Sequence, residues 1–285
     1  MLNDDSILYH YCSVDAFVNI LKTNSIWLTH AREMNDFRED TLFRKPLKIA
    51  LQSFGNRSDP EKQLLQRIVD EYVSRVDFPY VACFSRDEDM LSQWRAYADN
   101  GKGVAIGIKL GALPHFDLLM QEHGEIISRP IIIDEVSYNQ EDDEVEFMKK
   151  ILSACLINYQ KGKNEVEVIG QGIIALNRFS IFAKGKGFEE EHEVRLVYYP
   201  CYRNLLANLN YEKPKGHDQD DIEFRVRDGR ILSYFTYQLP KGSIYSIILG
   251  PKCTVDLAQL TLFLNRYAPQ VRINNKIYHS KITYR

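Results

Sequence analysis

The chain has no C-x-x-C pair, no apolar run approaching a membrane span and no surplus of basic charge, and each absence removes a class of protein. Its five cysteines, Cys12, Cys83, Cys155, Cys201 and Cys253, are odd in number and widely spaced, which argues against a disulfide framework or a structural zinc site. They read as small buried hydrophobes. With 36 basic against 39 acidic side chains the net charge is -3, so any nucleic-acid contact must use a local patch. The opening MLNDDSILYH carries neither the basic start nor the apolar core of a signal peptide, which leads to the expectation of a cytoplasmic protein with no membrane contact. There is also no Walker A loop, H-E-x-x-H, G-x-S-x-G elbow or calcium-loop spacing. His10, Cys12 and His30 lack further ligands at motif spacing, so no metal site is expected.

What the chain does have is a globular balance: 285 residues, 45% apolar and 26% charged. Ser13 can cap a short helix with Val14, Phe17, Ile20 and Leu21 on one face, ahead of a strand-like Ile26-Trp27-Leu28. Residues 36 to 54 show helical periodicity disturbed by Pro46, and Asp59-Pro60 opens a second helix. Strand patterns cover Tyr80 to Ser85, Val104 to Leu110 and Ile131 to Tyr138, with Arg86 to Asn100 open between loop and helical turn. Acidic Glu141 to Glu144 suits a helix N-terminus, and a further helix follows Gly170-Gln171-Gly172 up to Phe182. Glu189 to Tyr199 alternates into a strand, and 203 to 221 reads as a polar loop. Strands return at Ile222 to Val226, Ile231 to Leu239 and Ile244 to Leu249, a helix capped by Thr254 runs to Tyr267, and a last strand spans Ile277 to Tyr284. No repeat or flexible linker divides the chain, so 1–285 reads as one α+β domain with a helical insertion around 36–76.

Three constellations carry possible chemistry. On a strand, Glu191 and Glu193 share a face while His192 points away, and Glu193 abuts a run that looks buried, where an acid needs either a partner or a task. Tyr9-His10-Tyr11 places a histidine among aromatics, a pattern equally suited to a hydrogen-bonded core residue. Ser92-Gln93-Trp94-Arg95-Ala96-Tyr97, preceded by Phe84-Ser85, can stack a flat ring and hold a phosphate, or can fill a core and pair an acid. Gly101-Lys102-Gly103 reads as a turn.

Together with Met34-Asn35-Asp36, Leu249-Gly250-Pro251-Lys252 and Ser280 to Arg285, these blocks resemble, from end to end, a bacterial family of uncharacterised proteins, domain of unknown function 2971. More distantly, Leu8-Tyr9-His10-Tyr11 followed by Ile26-Trp27-Leu28, and the late Glu191-His192-Glu193, resemble the ADP-ribosyltransferase fold, particularly its DNA-modifying toxin branch. That resemblance implies a split, mixed or antiparallel β-sheet core with NAD in a cleft. It implies His10, with Tyr11 beside it, as ribose-binding, and Glu193 as the catalytic acid. No Ser-Thr-Ser occurs, so Ser85, Trp94 or Tyr97 stands in on the nicotinamide side, and Arg95 or Lys102 is left to neutralise the pyrophosphate.

Breaking the nicotinamide glycosidic bond builds positive charge on the ribose, which a carboxylate stabilises most in the transition state. Glu193 suits that task, and Glu191 suits orienting or deprotonating the acceptor nucleophile. The protein this resemblance implies is a glycosyltransferase using NAD to modify a macromolecule, RNA or DNA foremost, as a toxin or antiphage effector with an antitoxin partner. The alternatives are an NAD-independent nuclease with His10 or His192 as acid or base, and a non-catalytic binding module on the same fold.

Overall fold

A computed structural model describes residues 2–33, 39–74, 79–113, 120–122, 125–127, 131–199, 222–227, 229–274 and 276–284. The chain begins with β1 (Ile7–Cys12), α1 (Val14–Thr23) and β2 (Ser25–His30). The Ser13 hydroxyl accepts from Ala16 N at 3.2 Å, and Phe17, Ile20 and Leu21 bury one face of α1. Asn24 then ends the helix in the left-handed region at φ 52°, where asparagine is tolerated, and its side-chain amide donates to Leu239 O. Such a cap is worth about 1 kcal/mol and each buried large apolar side chain about 1.5–3 kcal/mol.

Helices α2 (Glu39–Gln52) and α3 (Asp59–Ser74) precede β3 (Tyr80–Ser85), α4 (Leu91–Ala96) and β4 (Val104–Lys109). The ribbon β5 (Met120–Glu122) and β6 (Glu125–Ile127), then β7 (Ile131–Glu135) and β8 (Ser137–Asn139), lead to α5 (Glu141–Gln160) and α6 (Glu165–Phe182). The remainder comprises β9 (Ala183–Gly185), β10 (Glu193–Tyr198), β11 (Ile222–Arg227), β12 (Arg230–Gln238), β13 (Ile244–Leu249), the helix Leu257–Tyr267, a single turn Pro269–Ile273 and β14 (Ile277–His279).

The main sheet has the order β11-β12-β2-β3-β1-β4-β13-β14, with β10 on the far edge of β3 and β7 beyond it. Its pairs are antiparallel except β13 with β14, so the fold is α+β with a mixed sheet. Along β3 one edge is paired throughout with β10, from Glu193 opposite Ser85 to Tyr198 opposite Tyr80. The other edge is shared: β2 takes only Tyr80 and Val81, and β1 takes only Ser85. Because β1 stays in register with β4 over all six residues, it diverges from β3. The sheet therefore forks over Ala82 to Phe84.

Leu8, Cys12, Phe84, Val194 and Leu196 belong to the large core on one face of the sheet, beneath α1 and the helix Leu257–Tyr267. On the opposite face Trp94 and Ala98 cover Tyr9 and Tyr11, while Ile181 and Phe182 cover Val81 and Val197. α2, α3, α5 and α6 share a separate helical core, so the helices expected around 36–76 are two members of a four-helix group.

Several expectations need correction. The single strand expected over Ile131 to Tyr138 divides into β7, in the main sheet, and β8, which pairs with β9. Gly170 and Gly172 lie inside α6: a Cβ at 172 would sit 2.9 Å from Ile68 Cγ2 and 3.0 Å from Cys155 Sγ, so the glycine permits close helix packing. α2 runs through Pro46. Asp256, not Thr254, caps the last long helix by accepting from Gln259 N, and the final strand stops at His279. The polar segment 203 to 221 lies outside the described residues.

Candidate active site

A cleft of ≈ 280 Å³ opens at the fork. It is lined by parts of β1, β2, β3 and α4 and by the chain entering β10, with His10, Trp27, Tyr97, Glu191, Glu193 and Arg227 as its chemically distinctive residues. By alternation along its strand, His10 belongs to the face of Leu8 and Cys12, and Glu193 to the opposite face from Val194. The gap between β1 and β2 lets both line one cavity.

His10 closes the unpaired edge of β3. Its Nδ1 lies 3.0 Å from Cys83 O and donates to that carbonyl, and its ring packs 5.6 Å from Phe84. With Nδ1 as the donor, Nε2 is left as the acceptor. Burial lowers the histidine's pKa, outweighing the carbonyl's opposing pull, so the ring is neutral near pH 7.

Glu193 sits in a charge-balanced knot. Its Oε1 accepts from Arg195 Nε at 2.8 Å, and its Oε2 accepts from Arg195 Nη2 at 3.2 Å and Lys184 Nζ at 3.3 Å. Lys184 also donates to Glu191 Oε2 at 2.6 Å, and Arg195 Nη1 to Ile181 O at 2.6 Å. Lys184, Glu193 and Arg195 are all buried. Burial by itself would raise the Glu193 carboxyl, but Arg195 and Lys184 outweigh it and hold the group at about 2. Glu193 is therefore a fixed anion and no proton shuttle. Its backbone N–H donates to the Tyr138 hydroxyl at 2.7 Å, and burial pushes that phenol up to about 12.

The two glutamates converge by a route other than strand periodicity. Lys186–Glu191 forms 3-10 turns, and the strand begins only at Glu193. His192 between them is left-handed at φ 41°, which swings both carboxylates onto Lys184. Ser85 pins this corner: its hydroxyl donates to Glu191 O at 2.9 Å, and the Arg86 N–H donates to His192 O. His192 itself points away, with Nδ1 2.6 Å from Asp87 Oδ2, in an exposed pair outside the cleft lining.

The other expected residues separate. Tyr97 lines the cleft, and burial, then the Glu191 charge, raises its phenol. Trp94 is fully buried with Nε1 donating to Asp89 Oδ1 at 2.7 Å, so it is a packing residue and cannot stack a ligand. Tyr11 lines the cleft, but its hydroxyl is committed: it donates to Asp87 O and accepts from Met90 N. Arg95 and Lys102 are exposed and, like Ser85, absent from the lining; Arg227 is the guanidinium the cleft does contain. Sequence pattern alone gives no role to Lys184, Arg195, Trp27 or Arg227. Arg195 was within reach, since two residues on from Glu193 places it on the same strand face.

Among the described residues, no helix is long and apolar enough to cross a membrane. No curated protein and no solved structure matches the chain. Residues 93–196, which carry Tyr97, Lys184, Glu191, Glu193 and Arg195, match the model of the family described as Protein of unknown function (DUF2971).

Proposed function

We propose that the cleft is the active site of an ADP-ribosyltransferase that takes NAD as donor and a macromolecule, RNA or DNA foremost, as acceptor. The observation that carries this reading is that His10, from the start of the chain, and Glu193, from the acidic segment two-thirds along it, line one cavity at a fork in the sheet. Glycosidic cleavage places developing positive charge on the ribose, and a carboxylate held ionised at about 2 presents preformed negative charge to it. His10 Nε2 can accept from a ribose hydroxyl, Tyr97 offers a ring beside the nicotinamide, and Arg227 offers charge to the pyrophosphate. Glu191, less enclosed than Glu193, is the residue for orienting the acceptor nucleophile. At ≈ 280 Å³ the cavity falls just below the roughly 300–1,000 Å³ typical of ligand sites, so a dinucleotide would extend beyond its mouth. A role as a cytoplasmic toxin or antiphage effector, checked by an antitoxin, accompanies this reading through the resemblance alone.

The test incubates purified protein with labelled NAD and with RNA, DNA and protein acceptors, following nicotinamide release and label transfer. The wild type is expected to release nicotinamide, and Glu193→Gln to lose at least ~100-fold in rate. Because that change leaves Arg195 and Lys184 short of a counter-charge, its melting temperature must be read alongside. Glu191→Gln serves as the second variant, expected to lose transfer while keeping NAD hydrolysis. Absence of nicotinamide release with every acceptor class overturns the reading. One observation favours a rival: neutral His10 with its Nε2 available is also a general base, and RNA cleavage without NAD would select the nuclease. A binding module would instead keep its partner affinity in Glu193→Gln.

A further inference from the structure

The flank of the cleft formed by β2, β12 and β11 carries a feature of which the transferase reading uses only Arg227. Trp27 is 39% exposed although its strand neighbours Ile26 and Leu28 are buried, and it lines the cleft. Its indole lies against Tyr234, with ring centroids 4.3 Å apart and planes 32° from parallel. The Arg225 guanidinium covers the same pair, 5.4 Å from the Trp27 ring and 5.8 Å from the Tyr234 ring, and Nη2 donates to Thr29 Oγ1 at 3.2 Å. Register explains the grouping. Tyr234 pairs with Thr29, Arg225 pairs with Leu232, and residues two apart on β12 share a face.

This ledge is ordered but incomplete. Arg225 Nε is buried and has no hydrogen-bond acceptor among the described residues. The nearby Glu223 carboxylate accepts from the Tyr234 hydroxyl, and Glu33 on the cleft wall is matched by Arg230 at 3.1 Å. An unsatisfied buried N–H on a cation carries a desolvation penalty that a bound anion would relieve. A large aromatic held half open at a concave site offers stacking area with little rotamer entropy left to lose.

We propose that this ledge binds a nucleotide, with the base stacked on the exposed part of the Trp27 indole and the phosphate held by Arg225 and Arg227. The shared chemistry is a nucleobase with its phosphate; the source is either the adenosine half of a dinucleotide or one residue of a single-stranded nucleic acid. The proposal concerns binding alone, so it stands whether or not the cleft breaks a glycosidic bond. Stacking on an aromatic face tolerates any base, and the guanidiniums confer salt dependence.

The test titrates the full chain with fluorescent ADP in one arm and with short labelled poly-U and poly-A strands in the other, reading anisotropy without turnover. Trp27→Ala is expected to weaken binding ~10-fold or more, Trp27→Phe to restore most of it, and Arg225→Gln to weaken it while flattening its salt dependence. Loss confined to the ADP arm assigns the ledge to the donor, and loss confined to the strands assigns it to the acceptor. Failure of the wild type to bind either probe below millimolar concentration, or equal binding by Trp27→Ala, overturns the proposal. A ledge that binds in a protein that releases no nicotinamide would overturn only the transferase.

Discussion

At the scale of single residues the molecule contrasts two buried glutamates. Glu193 has two cations beside it and stays ionised, whereas burial, together with the charges of Glu141 and Asp143, raises Glu144 to about 7. Protonation of Glu144 is therefore easier in the folded chain than in the unfolded one, where a glutamate titrates near 4.3. Its stabilising contribution is complete below the unfolded value and is lost as pH rises through the folded value near 7. Glu144→Gln, which removes the charge, should leave stability nearly unchanged at pH 4, just below the unfolded value, and raise it by about 1–3 kcal/mol at pH 8, read from urea unfolding at both pH values. An equal effect at the two pH values would show that Glu144 is not the titrating group. Glu193 has the opposite linkage: its contribution is present above the unfolded carboxyl value and is lost as pH falls toward about 2.

At the scale of elements, the glycines show what close approach demands. A Cβ at Gly103 would sit 2.1 Å from Cys12 O, backbone that cannot swing aside, whereas one at Gly187 meets nothing within 4 Å. Gly103→Ala should destabilise by about 1–3 kcal/mol, and Gly187→Ala should be neutral or stabilise by about 0.4–1 kcal/mol, compared by denaturant midpoint. Equal shifts would mean that the β1–β4 edge is slacker than its packing indicates. This contrast also shows how far the sequence could be read. Strands such as Tyr80–Ser85 and Ile244–Leu249 were legible because a short apolar run of β-prone residues is a local signal. Gly172 misled because glycine as punctuation and glycine as a packing contact look alike in one dimension. The fork was beyond reach, since it depends on β1 pairing with β4 instead of continuing along β3. Glu193 and His10 were legible as chemical types, but Lys184, which draws the glutamates together, sits in a run that reads only as a helix breaker. Trp94 exchanged roles with Trp27: both sit in aromatic settings, and only tertiary packing decides which indole stays open.

At the scale of the whole molecule, the cleft depends on parts distant in sequence being clamped together, and Asp89 is one clamp. Its Oδ1 accepts from Trp94 Nε1 at 2.7 Å and from Ser280 Oγ at 2.6 Å, and its Oδ2 accepts from Lys281 N at 2.7 Å. One carboxylate thus joins α4, which presents Tyr97 to the cleft, to the chain that follows β14. Hydrogen bonds to a charged group are worth about 1.5–3 kcal/mol, and orphaning the buried indole N–H adds to the loss. Asp89→Ala should therefore lower stability by a few kcal/mol and, more tellingly, speed amide hydrogen exchange together in residues 91–97 and 277–284. The helical core of α2, α3, α5 and α6 shares no residue with the cluster around Trp94, so its exchange should respond only through global unfolding. The same variant should weaken any ligand that contacts Tyr97 more than one confined to the Trp27 ledge, because only the first depends on α4. Unchanged protection of 91–97 in Asp89→Ala would show that α4 is held by the packing of Trp94 on Tyr11 alone, whose rings meet edge to face at 4.8 Å.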